Sequence, residues 1–189
     1  MARPVEFDPD AALEAAIEVF SDHGYEGSST TALLARMGIA RQSLYCAFGD
    51  KRRLFLKALE RHVDDSLAEM ARALRSTDGH IEALEAALLA FAGPAAGCLG
   101  LGAVTEFGRS DPQINAVNDA GAQAMRSLLA AHLRAGMAAG EIGEVDAEAA
   151  AGFLLAVRAG LKIAARNGAP PDELRSTARM ALRGLRARS

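Results

Sequence analysis

The chain has 189 residues, of which half are hydrophobic and only 5% aromatic, with no tryptophan and a net charge of −3. This length suits one large domain or two small ones, and a core rich in alanine and leucine favours helices. There is no apolar run of about 18 residues and no apolar leader, so neither a membrane-spanning helix nor a signal peptide is predicted. The two cysteines, Cys46 and Cys98, suggest no disulfide framework and have no metal-ligand spacing with histidine. We therefore expect a cytoplasmic protein without metal or other cofactor.

Charge is unevenly distributed along the chain. Residues 1–26 hold one base and seven acids, whereas residues 36–61 hold seven bases and two acids. A concentrated basic segment inside an acidic chain can mark a surface that meets nucleic acid. A solvated helix face would have the same composition, so charge alone leaves both interpretations open.

Glycine and proline divide the chain into nine predicted helices. Apolar residues at helical spacing, including Leu13, Ile17 and Phe20, identify the first helix, and Gly24 ends it. No segment alternates with period two over a useful length, so the predicted fold class is all-α. The predicted helices cover about 10–23, 28–37, 41–48, 51–75, 80–92, 96–107, 112–139, 147–166 and 171–187.

The second and third helices are short, are joined by a turn at Gly38 and follow an amphipathic helix, which is the layout of a helix-turn-helix. Leu44 and Phe48 share one face of the third helix and are predicted to pack inward. The opposite face could read base edges, because Arg can address guanine and Gln can address adenine. Residues at the N-termini of the second and fourth helices suit phosphate. The predicted DNA-contacting residues are Thr30, Thr31, Arg41, Gln42, Ser43, Tyr45, Cys46 and Lys51.

Several motifs stand at fixed spacing in residues 10–60. "AALEAAIEVFSDHGYEG" is an alanine-rich helix ending in "F…G", and "GIARQSLYCAFGDKRRLFLKAL" contains a glycine turn, an "LY..F" helix and a "K..L" start to the next helix. This segment resembles the N-terminal domain of the tetracycline-repressor (TetR) family of transcription regulators. The resemblance implies a helix-turn-helix domain in 1–50 and a helical effector-binding and dimerisation domain in 51–189. It implies a homodimer that binds a palindromic DNA operator, as a repressor released by a small-molecule effector.

Two features depart from the pattern of that family. The third helix follows Ala40, where family members often have a capping Ser or Thr, and the first helix opens with the acidic "FDPD" rather than with basic residues. Acids close to phosphate would weaken DNA binding unless they point away from it.

By the same resemblance, an effector pocket lies between helices five, six and seven, and dimer contacts lie on helices eight and nine. Each of these residues would also suit an ordinary core. The predicted pocket residues are Phe91, Cys98, Leu99, Val104, Phe107, Met125, Leu129 and His132. The predicted dimer residues are Phe153, Val157, Leu161, Leu174, Ala178 and Leu182.

Two alternatives to an effector-released repressor remain open. Cys98 follows "GPAAG" at the start of the sixth helix, where the helix dipole favours a thiolate, and some family members sense electrophiles or oxidants through a cysteine. A small buried apolar residue is the other interpretation of Cys98. A small-molecule-binding protein that has lost DNA contact is the second alternative. An enzyme is not predicted, because the sequence shows no nucleophile with a base partner, no metal pair and no phosphate loop.

Overall fold

The computed structural model describes residues 7–92 and 97–187, which form nine α-helices and no β-strand. The predicted all-α class is therefore confirmed. Within these ranges no helix combines the length and the apolar composition needed to cross a membrane. The helices are α1 Pro9–Gly27, α2 Thr30–Met37, α3 Arg41–Phe48, α4 Lys51–Ala73, α5 His80–Phe91, α6 Leu99–Phe107, α7 Pro112–Ala138, α8 Ala147–Arg166 and α9 Pro171–Arg183.

Contacts divide the chain into two compact units. The first contains Met1–Val63 and Ala96–Asn118, and the second contains Asp64–Ala95 and Asp119–Ser189. Helices α4 and α7 each contribute residues to both units, and α6 belongs with the N-terminal helices. The domain boundary at residue 50 stays a prediction.

The first unit packs α1, α2, α3, α6 and the start of α4 around one apolar core. Leu44 and Phe48 of α3 are 1% and 6% exposed, which confirms their predicted inward face. Phe55 of α4 meets Phe20 of α1 edge to face at 5.0 Å between ring centroids, and lies 5.6 Å from Phe107 of α6. Such aromatic pairs contribute about 0.5–1.5 kcal/mol each beyond area burial. The ring cluster therefore holds α6 against α1 and α4.

The second unit packs α5, α8 and α9 with the later parts of α4 and α7 around buried residues such as Leu133 and Leu154. Helix α5 begins after Gly79, which has no side chain to cap it. Glu141, from the connection between α7 and α8, supplies the cap: one carboxylate oxygen accepts the His80 N–H at 2.7 Å, and the other lies 3.1 Å from His80 Nδ1. The side-chain hydrogen bond with His80 lowers the pKa of Glu141 below its ordinary value.

The chain leaves helical geometry at Arg183, so the predicted extension of the ninth helix to residue 187 is wrong. The residues that follow pair with the connection between α7 and α8. The N–H of Gly143 donates to the carbonyl of Leu185 at 2.9 Å, and the N–H of Ala187 donates to the carbonyl of Glu141 at 3.1 Å. Because these hydrogen bonds satisfy backbone groups of the C-terminal segment, a further helical turn is not required to pair them. The predicted start of the sixth helix at residue 96 lies outside the described residues.

Candidate nucleic-acid interface

Helix α3 presents one face to the core and the other to solvent. Gly38 ends α2 with a left-handed backbone (φ 68°, ψ 28°), which glycine adopts without strain and which turns the chain toward α3. On α3, Arg41, Gln42, Tyr45 and Cys46 are exposed, with Tyr45 52% accessible. Ser43 is half-buried at the edge of this face. The predicted base-reading residues therefore share one surface. We name the four exposed residues the reading face.

The N-terminus of α2 is fixed by two serines. Ser29 caps the helix, its Oγ accepting the N–H of Ala32 at 3.1 Å. Ser28 is fully buried, and its Oγ donates to the carbonyl of Gly24 at 2.6 Å. The next two residues, Thr30 (half-buried) and Thr31 (exposed), stand in the first turn of α2, where the helix dipole and free N–H groups favour phosphate.

Lys51 is the first residue of α4, and Asp50 just before it accepts the N–H of Arg53 at 2.8 Å. The Lys51 Nζ lies 4.3 Å from the ring centroid of Tyr25, a cation–π contact that sequence reasoning missed. This contact orients the ammonium group, and a lysine in the first helical turn remains suited to phosphate. Ala40 makes no side-chain cap for α3, as the sequence leads one to expect.

Three acids of α1 form ion pairs with bases of neighbouring helices. Glu18 forms an ion pair with Arg36 of α2, while Arg61 of α4 lies 3.4 Å from Glu14 and 3.7 Å from Asp10. Exposed pairs of this kind add little stability, but they neutralise charge locally. The repulsion expected between these acids and phosphate is therefore reduced. Arg36 and Arg61 are therefore engaged in ion pairs within the protein.

A carboxylate of α6 caps the chain just before α2. Helix α1 kinks at Gly24, and the N–H groups of Tyr25 and Glu26 donate to the two carboxylate oxygens of Glu106 at 2.7 Å each. Two such charge-assisted bonds stabilise a helical turn that would otherwise expose free N–H groups. The sequence does not reveal this role of Glu106, because about eighty positions separate it from its partners.

A second carboxylate, Asp111, joins the start of α7 to the start of α4. Its oxygens lie 2.5 Å and 3.1 Å from the Arg52 guanidinium nitrogens, and Oδ1 accepts the N–H groups of Gln113 and Ile114. The side-chain hydrogen bond from Arg52 lowers the pKa of Asp111 from 3.8 to about 2. Arg52 therefore serves the packing of the first unit, next to the phosphate candidate Lys51.

This depressed pKa predicts an acid-sensitive contribution to stability. Because the pKa of Asp111 is lower in the folded chain, its stabilisation is present above about pH 4 and is lost as the pH falls toward 2. Asp111→Asn should flatten the dependence of unfolding free energy on pH in this window, measured by denaturant unfolding. Asp64→Asn, at an exposed aspartate of α4, is the control and should keep the wild-type slope. Equal slopes for Asp111→Asn and the wild type would contradict the prediction.

The predicted pocket residues are divided between the two units. Cys98 and Leu99 are buried in the first unit, where Phe107 is half-buried and Val104 is 53% exposed. The remaining four lie in the second unit, namely buried Phe91, Met125 and Leu129 and half-buried His132. Burial lowers the pKa of His132, whose Nε2 lies 3.1 Å from the carbonyl oxygen of His80. The pocket assignment stays a prediction.

The predicted dimer residues differ in exposure. Phe153 is 50% exposed and Val157 is half-buried, but the other four residues lie inside the second unit's own core. Those core residues are Leu161, Leu174, Ala178 and Leu182.

Cys98 and His62 lie side by side in the first unit. Cys98 is 7% exposed and stands at the N-cap of α6, where its Sγ accepts the N–H of Leu101 at 3.5 Å. The Nε2 of His62 lies 3.4 Å from the same sulfur. A histidine at this distance can take up a thiol proton. Cys46, by contrast, is exposed on the reading face.

Comparison with known proteins gives these surfaces their context. Residues 12–58 match the family described as bacterial regulatory proteins, tetR family, and residues 80–181 match the tetracyclin repressor-like C-terminal domain. The chain belongs to the TetR family. This confirms the resemblance carried by the recognition-helix motifs. TetR-family proteins are DNA-binding transcription factors, so the chain is a transcriptional regulator and not an enzyme.

Individual relatives of this TetR-family chain are also named as transcriptional regulators. It is 31% identical over 190 residues to the HTH-type transcriptional repressor ComR of Escherichia coli K12, covering 96% of this chain and 90% of ComR. It is 44% identical over 84 residues to the HTH-type transcriptional regulator YezE of Bacillus subtilis 168, which is 44% of this chain and 43% of YezE. The match therefore spans less than half the length of YezE. Among solved structures, a cysteine mutant of the TetR-family regulator CifR bound to 26-bp double-strand operator DNA is 31% identical, with a TM-score of 0.81 over 97% of this chain and all of CifR.

Proposed function

We propose that the protein is a ligand-responsive repressor that binds a palindromic operator as a homodimer in the bacterial cytoplasm. The reading face carries the proposal, because its donors and acceptors stand on a helix whose other side is locked by Leu44 and Phe48. Direct readout of base edges needs such a rigidly held set. The relative ComR is a repressor, which supports the direction of control, and the CifR mutant is complexed with operator DNA, which supports the kind of partner. An effector would release the operator by favouring a conformation in which the recognition helices are spaced differently.

A mobility-shift assay with the DNA upstream of the protein's own gene tests this function. The expected result is a specific shift that persists with excess unrelated DNA and weakens steeply with added salt. Equal affinity for the upstream and the unrelated DNA, or no binding to either, would count against the repressor.

The proposed dimer uses an exposed apolar stripe of α8. Phe153, Ala156, Gly160 and Ile163 recur at intervals of three, four and three residues and are all exposed, with Phe153 50% and Ile163 56% accessible. On α9, Met180 is 64% exposed. Small residues between larger apolar ones allow two copies of α8 to approach closely, and a twofold interface would bury the same stripe on both protomers. A twofold dimer can place its two recognition helices about 34 Å apart, one DNA turn.

Phe153→Arg should therefore produce a monomer. A charge at the centre of the interface would be desolvated on association without a partner, so analytical ultracentrifugation at micromolar concentration should show the monomer mass. Operator affinity should fall with it, because one half-site contact is lost. Val104→Arg also introduces an arginine, at an exposed apolar residue of α6, and should leave the dimer intact. A dimeric Phe153→Arg protein would refute the assignment of this stripe.

A second candidate function is sensing of electrophiles through Cys98. The contact between His62 Nε2 and the Cys98 sulfur favours a reactive thiol over a purely structural one. With an activated alkene, a carbon–sulfur bond would form at Sγ as the carbon–carbon π bond breaks. The thiol proton would pass by way of His62 to the neighbouring carbon of the former double bond. The added group would have to be accommodated at a site that is 7% exposed, at the start of a helix packed on α1. A modified thiol would thus disturb the first unit directly.

N-ethylmaleimide tests this sensor. Because Cys46 also carries a free thiol on the reading face, the experiment starts from Cys46→Ala, and operator affinity is measured before and after treatment. Treatment should release the operator from Cys46→Ala and should have no effect on Cys46→Ala/Cys98→Ser. If the double variant responds equally, the sensor hypothesis fails.

A further inference from the structure

A surface groove of about 400 Å³ lies beside the reading face, between α3 and α4 of the first unit. Tyr45 and Cys46 of the reading face line one part of it. The lining also includes Arg53 and Lys57, two exposed bases of α4. We name these two residues the groove cations. Neither belongs to the predicted DNA-contacting residues, although both adjoin the surface that those residues form.

Ion pairing within the first unit leaves much of its positive charge at this groove. Residues 36–61 contain seven bases, and three of them pair with acids of α1 or with Asp111, namely Arg36, Arg52 and Arg61. Arg41 and Lys51 are already predicted to meet DNA. The groove cations are the other two bases, so a positively charged surface continues from α3 along the first turns of α4.

Arg53 lies against the end of α3. The Cβ that Gly49 lacks would stand 2.7 Å from Cδ of Arg53 and 3.3 Å from its Nη1, so the arginine side chain lies along the backbone where the helix ends. Oδ2 of Asp50 lies 4.0 Å from Nε of Arg53, and both side chains are mostly exposed. An exposed pair at this distance is weak, which leaves the guanidinium able to bind an anion.

Lys57 follows Arg53 by one helical turn and shares its face of α4. The Nζ of Lys57 lies 5.6 Å from the ring centroid of Phe48, a buried residue of α3. This cation–π contact directs the ammonium group toward α3. Glu60 also lines the groove, about one turn further along α4. The positive potential is therefore greatest at the end of the groove nearer Gly49 and the reading face.

From this arrangement we propose that Arg53 and Lys57 bind the sugar–phosphate backbone of the operator and form a clamp beside the recognition helix. When α3 lies in the major groove, the DNA backbone runs along the surfaces that flank the helix, because that groove is only about 12 Å wide. Phosphate contacts fix the register of base-reading side chains and carry no sequence information themselves. The inference rests on the proposed operator binding and adds two positioning residues to it.

The salt dependence of DNA affinity tests the clamp. Binding of the full chain to operator and to unrelated duplex DNA is measured by fluorescence anisotropy over a series of salt concentrations. Arg53→Gln and Lys57→Gln should each reduce the slope of log affinity against log salt by about 0.9, and should weaken both DNAs by the same factor. Arg53→Lys keeps the charge and should retain the wild-type slope. So should the control Arg72→Gln, at an exposed arginine of α4 in the second unit.

Several outcomes would overturn the clamp. An unchanged salt slope in either glutamine variant would do so, even if its melting temperature fell, because a cation that only complements the C-terminal dipole of α3 affects stability and not phosphate binding. A loss confined to operator DNA would indicate base reading instead. Absence of DNA binding by the wild type would remove the clamp and the repressor together.

The repressor can also fail by itself. A wild-type protein that binds operator and unrelated DNA equally, with slopes that fall in the two glutamine variants, keeps the clamp and loses the repressor. Specific operator binding with unchanged slopes in the variants keeps the repressor and loses the clamp.

Discussion

Gln42→Ala should lower affinity for the operator by about tenfold or more while leaving affinity for unrelated DNA unchanged. A glutamine that pairs with an adenine edge contributes about 1–3 kcal/mol of discrimination, and 1.4 kcal/mol corresponds to a factor of ten. Gln42 is exposed in the first turn of α3, directly beside Arg41, so its loss leaves the fold of the first unit untouched. Binding of operator and of shuffled DNA is measured by fluorescence anisotropy at fixed salt.

The control for this prediction is Gln123→Ala, which makes the same change at an exposed glutamine of α7 in the second unit. It should bind operator as the wild type does. If Gln42→Ala lowered binding to operator and shuffled DNA alike, Gln42 would contribute to phosphate contact or stability and not to base reading. Unchanged operator binding would remove Gln42 from the interface altogether.

Local signals in the sequence placed the recognition helix correctly. The predicted third helix, residues 41–48, coincides with α3, because Gly38 and Gly49 interrupt the chain on either side and Leu44 and Phe48 define one buried face. The division between core and reading face follows from the helical repeat alone. These features depend on neighbours within a few residues, which is the range that periodicity and capping rules describe.

Contacts between distant parts of the chain could not be predicted in this way. Glu106 caps a turn about eighty residues earlier, and Asp111 binds Arg52 about sixty residues earlier. Nothing in the local sequence identifies either partner. The acids of α1 show the same limit, since their pairing with Arg36 and Arg61 depends on how three helices pack.

Apolar periodicity also fails to separate a core from an interface. Leu161 and Phe153 both lie on α8 in apolar stretches, yet Leu161 is 1% exposed and Phe153 is 50% exposed. In the sequence, both residues fit the pattern of an apolar helix face. Only the packing of the second unit shows which residues are already used within one protomer, and which remain for a partner.

Gly24→Ala should destabilise the first unit by about 2–3 kcal/mol, because the backbone there (φ 71°, ψ −178°) belongs to a region that only glycine adopts readily. An added Cβ would also lie 2.8 Å from Oε2 of Glu106. That side chain can move away only by giving up its bonds to the N–H groups of Tyr25 and Glu26. Denaturant unfolding, followed by circular dichroism, measures the loss.

The matched control for Gly24→Ala is Gly102→Ala in α6 of the same unit, where a Cβ meets nothing within 4 Å. Alanine in a helix interior is favoured over glycine by about 0.5–1 kcal/mol, so this variant should be neutral or slightly more stable. Because the carbonyl of Gly24 accepts the hydroxyl of buried Ser28, the first change should also shift the start of α2 and weaken operator binding. A Gly24→Ala protein as stable as Gly102→Ala would show that neither this backbone conformation nor the Glu106 cap is needed to hold the DNA-binding helices.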